Sequence, residues 1–97
     1  MAKKRTRIVS VTPARARKML AKIKAARVLS SRRIARYAEA MARGAWVHDA
    51  LPPIAFDTDG ALVDGHHRLR AVDRSGATVR MLVVEGVDPD PGDKIVH

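Results

Sequence analysis

The residues of this chain that could do chemistry gather in one short run, Asp64-Gly65-His66-His67-Arg68-Leu69-Arg70. An apolar stretch at residues 61–63 precedes the run, and Leu69 and Val72 follow at helical spacing. The pattern predicts a strand, a turn at Asp64-Gly65, and a helix over residues 65–75 that Gly76 ends. The first N–H groups of a helix have no partner within it and carry the positive end of its dipole. Gly65 would let an anion approach the main chain, and His66, His67, Arg68 and Arg70 would surround it with donors. The chemistry expected is therefore phosphate or nucleotide binding. Asp64 is expected to cap the helix or to fix the tautomer of one histidine, and Asp64, His66 and His67 are the candidates for acid–base catalysis. No metal is expected, because adjacent His66 and His67 would point to different sides of a helix. The bland alternatives are a turn glycine at Gly65, an interior histidine at His66, and structural arginines at 68 and 70 tied to Asp64 or Asp73.

The neighbouring segments must hold this turn. Pro52-Pro53 forbids helix and leads into an extended Ile54-Ala55-Phe56. Asp57-Thr58-Asp59-Gly60 has turn composition, with Gly60 supplying positive φ, and Ala61-Leu62-Val63 pairs back as a hairpin strand. Residues 78–84 read as a central β-strand. Strand, helix and strand in this order predict a right-handed crossover between parallel strands.

Toward the N-terminus, Ser30 or Ser31 opens a helix that Gly44 stops. Its inner stripe is Ile34, Ala38, Met41 and Ala42 with Tyr37 beside it, and its outer stripe is Arg32, Arg36, Glu39 and Arg43. An earlier helix starts at Thr12-Pro13, with apolar residues at Ala16, Met19, Leu20, Ile23 and Ala26. Trp46, Leu51 and Phe56 are expected in the core. The organisation expected is a flexible basic arm over residues 1–11 with a β-prone end, one domain over 12–87, and a polar tail over 88–97.

Charge is distributed unevenly along this plan. Residues 1–43 carry fourteen Lys or Arg against the single acid Glu39, and residues 44–97 carry five against nine acids, for a net +9 overall. A solubilising surface would interleave the signs, whereas polarised charge focuses the field on one side and speeds encounter with polyanions. DNA contact is the expectation, through Lys3, Lys4, Arg5 and Arg7 of the arm, Arg15, Arg17, Lys18, Lys22, Lys24 and Arg27 of the first helix, and Arg32, Arg33 and Arg36 of the second. With one Trp, one Tyr and one Phe, recognition by base stacking has little material.

The absence of cysteine excludes disulfides, thiolate zinc sites and cysteine nucleophiles. No apolar run reaches the length of a membrane span, and the opening Met1–Arg5 run lacks the apolar stretch of a signal peptide, so the expected compartment is the cytoplasm. Hydrophobic residues make up 46% of the chain, yet many are alanine, so the core is small. That small core, with the full apolar stripe of the first helix, leaves room for a homodimer.

Gly65-His66-His67-Arg68-Leu69-Arg70-Ala71, after an extended Pro53-Ile54 and a hairpin, resembles the N-terminal domain of ParB-type partition proteins and the sulfiredoxin fold. The helix bearing Ile34, Tyr37, Ala38 and Met41 and its Gly44 stop fit the same pattern. The resemblance covers about residues 30–86 and looks closest to small stand-alone ParB-like proteins of bacteriophages that infect actinomycetes. It implies an α+β fold with two N-terminal helices, a β-hairpin, a short helix and a central strand. It also implies a phosphate or nucleotide pocket at which Gly65 and Arg68 match the phosphate-binding positions and Arg70 the second arginine.

There are departures. Where sulfiredoxin has its cysteine this chain has His66, which rules out sulfinic-acid repair. No helix-turn-helix segment is expected after the turn, and no clear match to the further CTP-binding motifs of ParB is found in these residues. Three functions follow: a DNA-binding protein without catalysis, which is the main expectation; a nucleotide-dependent switch, nuclease or phosphotransferase using the Gly65–Arg70 turn; and a phage effector docking on an acidic host protein.

Overall fold

A computed structural model describes residues 4–23, 28–48 and 51–88. The elements run β1 (Arg5–Val11), α1 (Pro13–Leu20), α2 (Ser31–Ala42), β2 (Ile54–Asp57), β3 (Leu62–Asp64), α3 (His66–Ser75) and β4 (Val79–Val87). The architecture is α+β: the three helices lie against one mixed sheet with strand order β1-β4-β2-β3. Strand β4 pairs antiparallel with β1 and parallel with β2, and β3 returns antiparallel on β2.

Alternation along the strands shows which sheet face is covered. Val9 and Val11 of β1 and Val79, Met81 and Val83 of β4 are buried, while Ile8, which precedes Val9, is 45% exposed. The helices therefore pack on one face only. Helix α3 is the middle helix, in contact with α1 on one side and α2 on the other. Its Leu69, Ala71 and Val72 are fully buried. The core continues through Ala16 and Leu20 of α1 and Ala38 and Met41 of α2, with Ile54, Phe56 and Leu62 of the hairpin.

Local signals set most boundaries. The Thr12 hydroxyl accepts from Arg15 N at 3.1 Å, and Pro13 occupies the first turn of α1. The Ser30 hydroxyl accepts from Arg33 N at 3.1 Å and caps α2. In the hairpin the buried Asp57 carboxylate accepts from Asp59 N at 2.8 Å and Ala61 N at 2.9 Å, closing the turn that Gly60 completes at φ 82°.

Several expectations need correction. Of the arm expected at residues 1–11, the β-prone end is a strand as expected, but the strand reaches back to Arg5 and is paired along its whole length with β4, while residues 1–3 lie outside the described residues. The first helix ends at Leu20 instead of continuing through Ile23: Lys22 O accepts from Leu62 N at 2.9 Å, and Ile23 forms a bridge to Leu62. Pairing with β3 thus takes the last turn from the helix, and the expected continuation at Ala26 lies outside the described residues. The strand parallel to β4 is β2, not the strand that immediately precedes α3. Strand β4 extends past Val84 to Val87, because Arg5 of β1 pairs with Glu85 and Asp57 of β2 with Val87. Ala42, expected in the inner stripe of α2, is exposed. Trp46 is half-buried against the core, its ring edge-on to Tyr37 with centroids 5.3 Å apart, and Leu51 is half-buried.

Candidate functional site

Helix α3 begins beneath a cleft of about 170 Å³ lined by residues 64–68, by Arg33 and Tyr37 of α2, and by Leu51 and Pro52. Asp64, Gly65, His66, His67 and Arg68, contiguous in the chain, all line it. Arg70 is not: it is exposed and does not line the cleft.

Gly65 is the N-cap of α3 at φ 114°, ψ 13°, a conformation that favours glycine. A Cβ there would stand 2.5 Å from Ile54 Cδ1 and 3.2 Å from Ile54 Cγ2. The side of Gly65 where a side chain would project is thus filled by Ile54, which is fully buried, so the glycine is needed for close helix–strand packing. No side chain caps α3, which corrects the expectation that Asp64 would do so. Asp64 Oδ1 instead stands 3.6 Å from Arg68 Nη2, one helical turn on.

Arg68 is 8% exposed. Its Nη1 donates to the Pro52 carbonyl and its Nη2 faces Asp64. Burial pushes its pKa down, while Asp64 and Tyr37 pull it back up. A guanidinium stays protonated at neutral pH across such shifts, so a cation sits in the wall of the cleft, held by the backbone before β2 and by the end of β3.

His67 joins two helix starts. Its Nε2 accepts from Ser30 N at 3.0 Å, and Ser30 is the N-cap of α2. The partner at this nitrogen is a main-chain N–H. An imidazole nitrogen that accepts a hydrogen bond belongs to a neutral ring. The N-termini of α2 and α3 therefore meet at the cleft, and neither has an acid in its first turn. Arg33 in the first turn of α2 and Arg68 in that of α3 add positive charge where the dipoles already place it. This is an unfavourable arrangement for helix stability and a favourable one for an anion. His66, 4% exposed, lies at the first position of α3.

The second group of candidates lies on the outside of the molecule. Lys4, Arg5 and Arg7 are exposed on and just before β1; Arg15, Arg17 and Lys18 are exposed on α1, and Lys22 just after it; Arg32, Arg33 and Arg36 are exposed on α2. Lys3, Lys24 and Arg27 lie outside the described residues. Two of these cations are already matched: Arg7 with Glu85 at 3.1 Å across β1 and β4, and Arg17 with Asp73 at 2.6 Å between α1 and α3. Among the described residues the other basic candidates of β1, α1 and α2 form no ion pair.

Sequence reading missed Arg74. Helix α3 buries Leu69 and Val72 and exposes Arg70 and Arg74, one turn apart. Because α3 lies between α1 and α2, this pair fills the middle of the solvent side of the helical layer. Lys18 extends that side over α1, and the outer stripe of α2, with Arg32, Arg36 and Arg43 around Glu39, extends it over α2. The four-residue spacing of Arg70 and Arg74 opposite Leu69 and Val72 was the available signal.

Among the described residues no three His, Asp or Glu side chains gather to hold a metal, and no helix is long and apolar enough to cross a membrane. The chain matches no protein-family model, no curated protein and no solved structure.

Proposed function

We propose that this chain binds DNA without acting on it, through the solvent side of its helical layer. The observation that carries the reading is the row of exposed cations on all three helices that, among the described residues, have no acidic partner. Lys18 of α1, Arg70 and Arg74 of α3, and Arg32, Arg36 and Arg43 of α2 would lie along phosphates. Such contacts supply affinity but little sequence preference. The cleft at the start of α3 would seat one further phosphate between two helix N-termini, with Arg33 and Arg68 beside it.

We further propose that the domain is of the ParB N-terminal/sulfiredoxin-like type, as in small phage proteins that work in the cytoplasm of a host cell. The order of α2, hairpin, Gly65-to-Arg68 turn, α3 and β4 supports this assignment, as does the parallel pairing of β2 with β4. A second reading, a nucleotide-dependent switch, is favoured by the cleft itself, since two convergent helix N-termini suit a nucleotide phosphate as well as a DNA phosphate.

The test is binding to a short random-sequence duplex across a salt series, with and without CTP. If six to eight phosphates are neutralised, log K falls against log salt with a slope of roughly −5 to −7. Binding that is steep in salt and indifferent to CTP supports the DNA reading. Binding that requires CTP moves the function to the switch. No binding at low salt removes the DNA reading and moves the target to an acidic protein surface.

A further inference from the structure

A second cleft lies between α1 and the sheet, on the side of α1 away from α3. Arg17 faces α3, where it meets Asp73, whereas Arg15, Met19 and Lys22 face this cleft. Its floor is apolar: Val9 of β1, Phe56 of β2 and Val83 of β4 are buried beneath it, and half-buried Met19 forms one wall. Its volume is about 180 Å³.

The charges around it are not balanced. Two carboxylates reach the cleft, and both are engaged. Glu85 is paired with Arg7 at 3.1 Å, and Asp57 accepts the main-chain N–H groups of Asp59 and Ala61. Arg15 and Lys22 share the cleft with these two carboxylates but form no ion pair among the described residues. An apolar floor with two unmatched cations at its edge suits a molecule that is apolar at one end and acidic at the other. The size points the same way. Pockets for drug-sized ligands hold roughly 300–1,000 Å³, so this one suits a single ring or a short chain.

We propose that this cleft binds a small organic anion, a compact aromatic or aliphatic body carrying one carboxylate, with the body on Val9, Met19 and Val83 and the acid between Arg15 and Lys22. The occupant is a free small molecule, and the site is independent of the DNA reading.

The test uses the full chain and three probes: 3-phenylpropionate, its neutral counterpart 3-phenylpropan-1-ol, and propionate. Methyl NMR signals of Val9, Met19 and Val83 report occupancy. The acid should shift them saturably with a Kd of about 1 mM or tighter, and the alcohol and propionate should each bind about tenfold more weakly. Replacing both rim cations, Arg15→Gln with Lys22→Gln, should weaken the acid about tenfold and leave the alcohol unchanged. Met19→Trp fills the cleft without touching charge, so it should abolish probe binding while DNA affinity holds. If that variant does not fold, the Arg15/Lys22 pair of substitutions decides alone. No saturation by about 20 mM acid overturns the proposal, and so does equal binding of acid and alcohol or indifference of the acid to the rim substitutions.

Discussion

Arg68 and Arg70 sit two positions apart in α3 and meet opposite environments. Arg68 is buried, donates to the Pro52 carbonyl and faces Asp64; Arg70 is exposed beside Arg74 and, among the described residues, has no acid partner. The same contrast separates the two basic regions of the molecule. In the cleft the polar side chains also build the fold: Arg68 donates to the segment before β2, and His67 accepts from the cap of α2. On the helical face, among the described residues, Arg17 pairs with Asp73 and the other cations hold nothing together. A motif that reads from sequence as a single binding site is thus divided between a structural joint and an open surface. Substitutions should separate the two, with stability changing at the joint and affinity at the surface.

The largest effect is expected at Gly65. Gly65→Ala places a Cβ 2.5 Å from Ile54 Cδ1 in a left-handed backbone conformation, and Ile54 is fully buried. The loss should be about 2–4 kcal/mol, read from chemical denaturation. Gly76→Ala has a similar positive φ of 72° but meets nothing within 4 Å, so it should cost only about 1 kcal/mol. Adding Ile54→Val, which deletes Cδ1, should return about 1 kcal/mol to the Gly65→Ala chain, although Ile54→Val alone destabilises. Equal costs at the two glycines would show that conformation, not packing against Ile54, selects Gly65.

Arg68 comes next. Arg68→Met removes the donor to Pro52 and leaves Asp64 without its cation, for an expected loss of about 2–3 kcal/mol. Arg68→Lys should recover less than half, because an ammonium cannot bridge two acceptors as the planar fork does. Arg70→Met should change stability by no more than about 0.5 kcal/mol. If thermal melts find the two arginines equivalent, the division between joint and surface fails.

The joint is more legible in the sequence than the surface, for physical reasons. Helix caps at Thr12 and Ser30, the Asp57–Gly60 turn and the start of α3 are local: a hydroxyl, a carboxylate or a glycine acts within four residues of itself. The end of the arm from Arg7 reads from sequence as β-prone, but Arg5 and Thr6 look soluble, and their pairing with Glu85 and Val84 is a long-range property. Ile23 continues a helical stripe in sequence, but its partner is Leu62. Gly65 suggests anion approach because only the folded chain brings Ile54 against it. The outer face stays half-hidden because Arg74 belongs to it only once α3 lies between α1 and α2.

At the surface the expected effects are on DNA. Arg32→Gln with Arg36→Gln, and separately Arg70→Gln with Arg74→Gln, should each weaken binding about tenfold near physiological salt. Each pair should flatten the salt dependence by roughly 0.9 for every phosphate left without its cation, with unchanged melting. The Arg70/Arg74 pair is the sharper test, since it sits in the middle of the helical layer and outside the cleft. A normal salt slope in that variant would move the interface to α1 or α2 alone.

The smallest expected effect falls where joint and surface meet. Asp73 on α3 holds Arg17 of α1 at 2.6 Å, with the side chains 35% and 59% exposed. Exposed pairs of this kind contribute about 0–1 kcal/mol, so Asp73→Asn should hardly change the melt. It does remove an acid from the middle of the basic face and frees Arg17 to meet a phosphate, so DNA affinity should rise by about two- to threefold and the salt slope should steepen. Arg17→Gln in the same background should cancel the gain. A fall in DNA affinity for Asp73→Asn, with stability intact, would mean that the pair orients Arg17 toward DNA, and the line between structural and surface cations would then have to be drawn through Arg17 itself.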